Sequence, residues 1–273
     1  MSETYYDLPL LKSPVWTWEV PLYFFVGGAA GASSALAMIA QLTRADAALV
    51  RDARRIAAAG AVLSGPLLVS DLGRPERFLN MLRVFKPQSP MSVGAWTLAA
   101  FGGASTVAVI ATKRLRPVGD VSAVAAALTG LTMATYTGVL LGATAIPVWK
   151  EHVRMLPVHF GASALGSAVS LLELRGHREG ALQSLGLGAA LFETLAAFAL
   201  DGEISRASQP LREGRSGTLT RAAAALSGPI PLALRLLGAR KAAAVSTLLG
   251  SLATRFAWVE AGKVSAKDVR VAL

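Results

Sequence analysis

The most unusual polar residues of this chain lie in one short stretch that follows an apolar segment. Asp71, Arg74, Glu76 and Arg77 lie within seven residues, directly after an apolar run that ends at Ser70. An aspartate in that position could carry protons, and a neighbouring arginine could hold it ionised in one state, because an opposite charge favours the charged form. The same pattern also fits a solvated loop whose charges pair at a membrane boundary, since surface ion pairs are common and individually weak. The residues alone leave both interpretations open.

Further polar side chains lie within or beside apolar segments. Glu19 and Tyr23 are four residues apart at the start of the first apolar segment, so they share one helix face. Tyr136 follows Thr132 and Met133 at helical spacing, which predicts a stripe that points inward rather than to lipid. Trp16, Trp18 and Tyr23 also fit an interfacial aromatic belt, where tryptophan and tyrosine are enriched. If these groups face one pocket, they could hydrogen-bond a substrate and exchange its protons.

Glu193 is an ionisable residue about two-thirds of the way along an apolar segment. An acidic residue inside a membrane costs roughly 2.5–3.5 kcal/mol on insertion scales, so the sequence predicts a polar partner or a water-filled cavity beside it. One interpretation is structural: a neutral Glu193 is hydrogen-bonded to a neighbouring helix, close to Arg255. The other interpretation is functional: Glu193 is one step of a proton path.

The composition excludes several classes of protein. The chain is 53% hydrophobic and 16% charged, whereas a soluble domain has roughly 25% charged residues. It has no cysteine, so disulfides, thiolate zinc sites and cysteine-ligated iron–sulfur clusters are excluded. The net charge of +10 lies mostly in loops between apolar runs, which is typical of a membrane protein rather than of a nucleic-acid-binding protein. The three histidines predict no haem-binding pair, and no metal site is predicted.

The apolar runs predict an all-α integral membrane protein with about eight transmembrane helices, because a spanning helix needs about 20 apolar residues. Five runs are long enough: residues 21–42, 91–112, 121–149, 155–172 and 181–200. Three are weaker: residues 56–70, 222–234 and 242–254, the second of which is broken by Gly228-Pro229-Ile230-Pro231. We expect two four-helix bundles, formed by residues 1–150 and 151–273.

The distribution of positive charge predicts the orientation. The loops after the first, third, fifth and seventh predicted helices are the denser in Lys and Arg, which favours a cytoplasmic position for them and an external, periplasmic position for both termini. Residues 71–96 then lie on the external side. No cleavable signal peptide is predicted in the first 20 residues, so we expect the first apolar segment to be retained.

Four parts of the chain together resemble the NrfD/polysulfide-reductase membrane-subunit family. The most specific is residues 71–96, with DLGRPERF followed by KPQSPMSVGAW. The others are Trp18 with residues 20–28, residues 136–141, and residues 255–258 with Gly262 and Lys263. The resemblance covers nearly the whole chain and is weakest over residues 181–239.

The resemblance implies an eight-helix subunit of the bacterial cytoplasmic membrane that exchanges electrons with the quinone or menaquinone pool. Such a subunit itself carries no haem or iron–sulfur cluster. It holds an iron–sulfur subunit against its external face, and that partner connects to a catalytic subunit, often a molybdopterin enzyme. Its quinone site lies in the first four-helix bundle.

On this basis the chain has candidate residues for each task of such a subunit. The predicted catalytic residues are Asp71 and Glu19, the predicted quinone-binding residues are Tyr23, Arg74, Arg77 and Tyr136, and Glu193 is the predicted proton-path residue.

Two other functions remain open on the sequence. The first is a membrane anchor with the same fold and partner but without a working quinone site. The second is a transporter or ion-translocating subunit, which Glu193 and the interrupted seventh helix support, because interrupted helices often line transport sites. Such transporters usually carry a matching interruption in each half, and the first half shows none.

Overall fold

The computed structural model describes residues 11–72, 75–111, 115–203 and 205–268, and these are helical apart from short connections. In chain order the elements are α1 (Glu19–Leu42), α2 (Ala47–Ser70), a 3-10 helix (Pro75–Leu82), α3 (Pro90–Ile110), α4 (Arg116–Gly142), α5 (Pro147–Glu151), α6 (Met155–Leu174), α7 (Gly180–Asp201), α8 (Gln209–Arg212), α9 (Gly214–Ser227), α10 (Pro229–Leu236) and α11 (Arg240–Ser265).

Six of the described helices are long and apolar enough to cross a membrane: α1, α3, α4, α6, α7 and α11. Each has at least 20 residues, and 20 residues of α-helix extend about 30 Å, the thickness of the hydrocarbon core. An all-helical chain of this kind satisfies its backbone hydrogen bonds internally, as lipid requires. The chain is therefore a multi-pass membrane protein.

The predicted count of eight spans is not confirmed among the described residues. Helix α2 has 24 residues, but Arg51, Arg54 and Arg55 lie in its first half and lower its apolar character. The predicted seventh span is divided into α9 and α10, of 14 and eight residues. The break lies at Gly228, as predicted, because the prolines that follow it have no N–H to continue the α9 ladder.

One predicted boundary is wrong. The apolar run 121–149 is not a single helix, since α4 ends at Gly142 and α5 begins at Pro147. The last residue of the run, Trp149, lies on α5 and donates its indole N–H to the Trp258 carbonyl at 2.8 Å. Its ring stacks on Trp16 with the centroids 5.4 Å apart. The aromatic end of the run therefore serves tertiary packing instead of extending α4.

Helix α1 packs against α2, α4, α6 and α11. Small residues permit this: a Cβ on Gly31 would overlap the Gly130 carbonyl of α4, and Ser34 donates to the Ala126 carbonyl at 2.9 Å. Close backbone approach at small residues is how transmembrane helices associate without a hydrophobic driving force. One core cluster contains Phe24 and Phe160, so helices from both predicted halves share it. The division at residue 150 stays a prediction.

Consecutive long helices run in opposite directions. The polar connections between them therefore lie at two opposite ends of the molecule. We call the end where α1 begins the Glu19 end; Thr17 contacts Asp71 there, and the Val148 amide donates to Ser265. We call the opposite end the Asp52 end. There Asp52 pairs with Arg175, and a buried ion pair joins Glu173 of α6 to Arg235 of α10 at 2.8 Å.

Candidate functional site

The two predicted acidic residues of the first half meet at the Glu19 end. Asp71 follows the last residue of α2 directly. Thr17 donates its hydroxyl to Asp71 Oδ1 at 3.1 Å and its backbone N–H to the same oxygen at 3.3 Å. The Thr17 hydroxyl also contacts the Glu19 carboxylate. The structure therefore brings Asp71 and Glu19 together through a residue that the sequence did not single out.

The Thr17 hydroxyl has two carboxylate neighbours, Asp71 and Glu19. A threonine hydroxyl has one proton to donate, so Thr17 can serve only one of the two carboxylates at a time. Thr17 is thus a single hydroxyl donor shared by Asp71 and Glu19 at this end.

Two predicted quinone-binding groups cannot be placed beside this cluster. Arg74 lies outside the described residues, and so does the side chain of Arg77. Glu76, between them, is exposed on the 3-10 helix.

The two predicted tyrosines lie inside the protein. Tyr23 of α1 is 1% exposed and Tyr136 of α4 is 6% exposed. Tyr23 is thus a core residue and not part of an interfacial aromatic belt, a position that Trp18, at 60% exposed, fits better. Its hydroxyl has no partner within ordinary hydrogen-bond distance among the described residues, but the Tyr136 side chain lies close enough to interact with it. A buried donor without a partner is costly, which makes this hydroxyl a candidate ligand contact.

Two glycines explain why both rings fit. A Cβ on Gly94 of α3 would overlap the Tyr136 ring, so this glycine allows the tyrosine to reach the α3 backbone. A Cβ on Gly27 of α1 would lie 3.0 Å from Met133 Cε and 3.6 Å from Tyr23 Cε2. Gly94 belongs to the segment 71–96, and the Tyr136 ring leaves no room for a larger side chain at that position. Met133 and Tyr136 point inward as predicted, whereas Thr132 is exposed.

Glu193 of α7 forms the second polar centre. His159 Nε2 of α6 lies 3.0 Å from Glu193 Oε2, and Ser227, the last residue of α9, donates to the same oxygen at 3.1 Å. Glu193 Oε1 and His159 Nδ1 are buried with no hydrogen-bond partner among the described residues. The predicted polar partner of Glu193 is therefore present, and it is a histidine.

Arg255, the neighbour expected from the sequence, has a different direct contact. It donates to the Phe160 carbonyl at 2.9 Å, and its guanidinium carbon lies 3.8 Å from the centroid of the Phe160 ring. A cation over an aromatic face is stabilised by the ring quadrupole. Its positive charge still acts on Glu193, so it supports the His159–Glu193 pair without bonding to it.

Sequence reasoning missed His159, although a signal was available. His159 lies four residues after the start of α6 and Glu193 lies eight residues before the end of α7. Because consecutive long helices are antiparallel here, both positions fall within about 12 Å of the Glu19 end. A second histidine, His152, pairs with Glu203 at 2.6 Å. Both imidazoles pack edge-on against Trp258, with centroid separations of 5.2 Å and 6.2 Å.

A cavity of about 270 Å³ adjoins the second polar centre. His159 and Glu193 line it, and its other walls come mainly from α7, α9 and α11. Most of these wall residues are apolar, among them Ala197, Phe198, Ala224 and Trp258. The further polar lining residues of the cavity are Thr194, Asp201, Arg212, Thr220, Arg221 and Thr254. The arrangement can hold a largely apolar molecule and offer it hydrogen bonds from polar side chains, among them the buried His159 and Glu193.

The fold defines an integral membrane protein with a polar cluster at the Glu19 end and a buried ionisable pair, His159 and Glu193, between its helices. The chain matches the NrfD-type polysulfide reductase family over residues 2–269, and it belongs to that family. It is therefore a membrane subunit of a redox complex, as its resemblance to that family predicted. The comparison with curated proteins gave no match.

Proposed function

We propose that this chain exchanges electrons between membrane quinones and an iron–sulfur partner subunit of a multi-subunit oxidoreductase. The observation that carries the proposal is the family match over residues 2–269. The polar centres add support, because quinol oxidation yields two electrons for the partner and two protons that must reach water. Proton transfer needs groups at hydrogen-bond distance, directly or through one water.

In the first half, the chain offers a binding group and an exit for protons. The buried Tyr23 hydroxyl has no partner within ordinary hydrogen-bond distance among the described residues, and Tyr136 lies beside it as a second phenol, so either hydroxyl can donate to a quinone oxygen. Asp71 and Glu19, joined through Thr17, can take a proton at the rim of the same end. Arg74 and Arg77 belong to the same proposed site through the family segment 71–96.

In the second half, Glu193 is the proposed proton-path residue. A carboxylate bonded to an imidazole at 3.0 Å can exchange a proton with it, because both groups can donate and accept. Glu203, which pairs with His152, lies at the Glu19 end and provides a route to water there.

The proposed setting follows the family. The iron–sulfur partner docks at the Glu19 end and connects to a molybdopterin or other catalytic subunit. The membrane is the bacterial cytoplasmic membrane, with both termini on the external side. The dense Lys and Arg content of the loops at the Asp52 end supports this orientation.

Steady-state turnover of a quinol analogue by the purified complex tests the proposal. We expect Asp71→Ala, Tyr136→Phe and Glu193→Gln each to lower turnover by roughly 10²-fold, the scale of a lost proton-transfer group. Asp120→Ala is the control for Asp71, since it removes an aspartate that pairs with Arg54 at the opposite end. Wild-type rates in all three variants would overturn the assigned sites.

One observation favours a second function, a membrane anchor without a working quinone site in the first half. The Tyr136 ring fills the space beside Gly94, and Met133 fills the space beside Gly27, so the region around the phenols is tightly packed. An anchor predicts a complex that assembles normally and shows no quinol turnover in the wild type. The same assay therefore separates the two functions.

A further inference from the structure

We propose that the cavity beside His159 and Glu193 is a binding site for the ring headgroup of a membrane quinone. It is separate from the site proposed near Tyr23. The inference rests on the proposed function for the identity of the ligand, but its evidence comes from the second half of the chain.

The polar part of the cavity is incomplete without a ligand. His159 is 5% exposed and Glu193 is 4% exposed, and the two residues satisfy each other through only one atom each. His159 Nδ1 and Glu193 Oε1 remain buried without a partner among the described residues. Leaving buried polar atoms unbonded costs about 1–3 kcal/mol each. A molecule that both accepts and donates hydrogen bonds would remove this cost.

The size and position of the cavity limit what that molecule can be. Its volume of about 270 Å³ is close to the lower limit of about 300 Å³ for pockets that hold small ligands. Glu193 lies about 12 Å inside the Glu19 end, at 1.5 Å per residue along α7. Phe198, which is 73% exposed, lines the side between α7 and α9, so the cavity reaches the lipid-facing surface. A ligand with a ring inside and a lipid-soluble tail outside fits this geometry.

Other occupants fit less well. An acyl chain has no polar atom for His159 Nδ1 or Glu193 Oε1. Water could bond both atoms, but it would gain no favourable contact with the apolar walls at Ala197, Ala224 and Trp258. The headgroup of a quinone is uncharged and mostly apolar, and its two ring oxygens can accept or donate.

Photolabelling of the purified complex with a short-chain azidoquinone, followed by peptide mapping, tests the site. We expect labelled peptides from α7 and α9, and competition by an unlabelled quinone analogue. Ala197→Phe fills the cavity and should lower this labelling by about tenfold or more, because no space for the ring remains. Ala199→Phe is the matched control on the same helix, since Ala199 is exposed and does not line the cavity. Ala224→Leu, on the facing wall, repeats the test if Ala197→Phe does not fold.

The outcomes separate this inference from the proposed function. Labelling confined to residues 19–142, with normal quinol turnover, would overturn the inference and leave the proposed function intact. Labelling of α7 and α9 that phospholipid displaces and the quinone analogue does not would overturn it in favour of an acyl chain. A wild-type complex that neither labels nor turns over quinol would overturn both. Equal loss of labelling in Ala197→Phe and Ala199→Phe would also count against the cavity.

Discussion

At the residue scale, the chain buries charged groups only where other groups compensate them, within the part of the chain that the structure describes. Arg235 is 2% exposed and donates two hydrogen bonds to Glu173, both at 2.8 Å. Arg255 is 1% exposed and lies over the Phe160 ring. Removing one partner of a buried pair leaves an uncompensated charge, which costs about 3–5 kcal/mol. In the Glu193–His159 pair each member keeps one unbonded buried atom, and among the described residues Arg235 and Arg255 also keep unbonded guanidinium nitrogens.

Asp52 gives a pH-dependent prediction. It lies in the second turn of α2, before the apolar part of that helix, and faces Arg55, Arg175 and His177. The pKa of Asp52 lies below its ordinary value. The main cause is the hydrogen bond with His177, and the hydrogen bond and positive charge of Arg175 add to it. A lowered pKa adds stability that is present above about pH 4, the ordinary aspartate pKa, and is lost as the pH falls through the folded-state pKa. We therefore expect Asp52→Asn to lower the thermal unfolding midpoint at pH 7 and to make little difference near pH 2.

Asp46→Asn is the control for this measurement. Asp46 caps the N-terminus of the same helix by accepting from the Ala48 amide at 3.0 Å, and asparagine caps about as well as aspartate. Differential scanning fluorimetry of the detergent-solubilised protein between pH 2 and pH 7 would compare the two variants. A destabilisation by Asp52→Asn that stays constant over that range would contradict the electrostatic origin.

At the element scale, contacts between helix backbones set the packing of the second half. A Cβ on Gly250 of α11 would lie 2.5 Å or closer to backbone atoms of Leu226 and Ser227. Neither backbone can move easily, because Ser227 ends α9 and donates to Glu193. We expect Gly250→Ala to destabilise the protein by about 1–3 kcal/mol, the usual cost of overpacking. Thermal unfolding in detergent measures this loss.

Gly188→Ala is the matched control, since nothing lies within 4 Å of a Cβ at that position of α7. It should be neutral or slightly stabilising, because alanine favours a helix over glycine. Equal effects of the two substitutions would show that loss of glycine flexibility, and not contact with α9, determines the stability.

The helices were largely predictable and the contacts between them were not. An apolar run of about 20 residues is enough to indicate α1, α3, α6 and α7, and the prolines after Gly228 predicted the break that divides α9 from α10. The end of α4 was missed because residues 143–149 are mostly apolar, like the helix before them, and tertiary contacts with Trp16 and α11 distinguish Trp149. Apolarity reports burial in lipid, whereas a helix end is set by local turns and tertiary contacts.

The contacts at the candidate sites could also be predicted only in part. Alternating helix direction places Glu19 and Asp71 at one end, so their proximity could be predicted. The pairing of Glu193 with His159 depends also on how α6 and α7 rotate about their axes, and one sequence does not fix that rotation. Thr17 joins the two acidic residues of the first half through a single hydroxyl, and no spacing pattern indicates such a bridge.

At the scale of the whole molecule, the orientation in the membrane determines where protons and partners meet the chain. Asp71, Glu19 and Glu203 all lie at the Glu19 end. If that end is external, protons given up at either polar centre leave on the external side, and the iron–sulfur partner docks there. The charge distribution predicts this orientation, since the loops at the Asp52 end are the denser in Lys and Arg.

The absence of cysteine from the sequence allows the orientation to be measured directly. Gln88→Cys places a thiol in the exposed connection before α3, at the Glu19 end, and Thr43→Cys places one in the exposed connection after α1, at the opposite end. We expect a membrane-impermeant maleimide to label Gln88→Cys in intact spheroplasts and Thr43→Cys only after lysis. Neither substitution alters a charge, so the charge signal that sets the topology is unchanged. The reverse labelling pattern would place Asp71 and the partner-docking end in the cytoplasm, and quinol oxidation would then release its protons on that side.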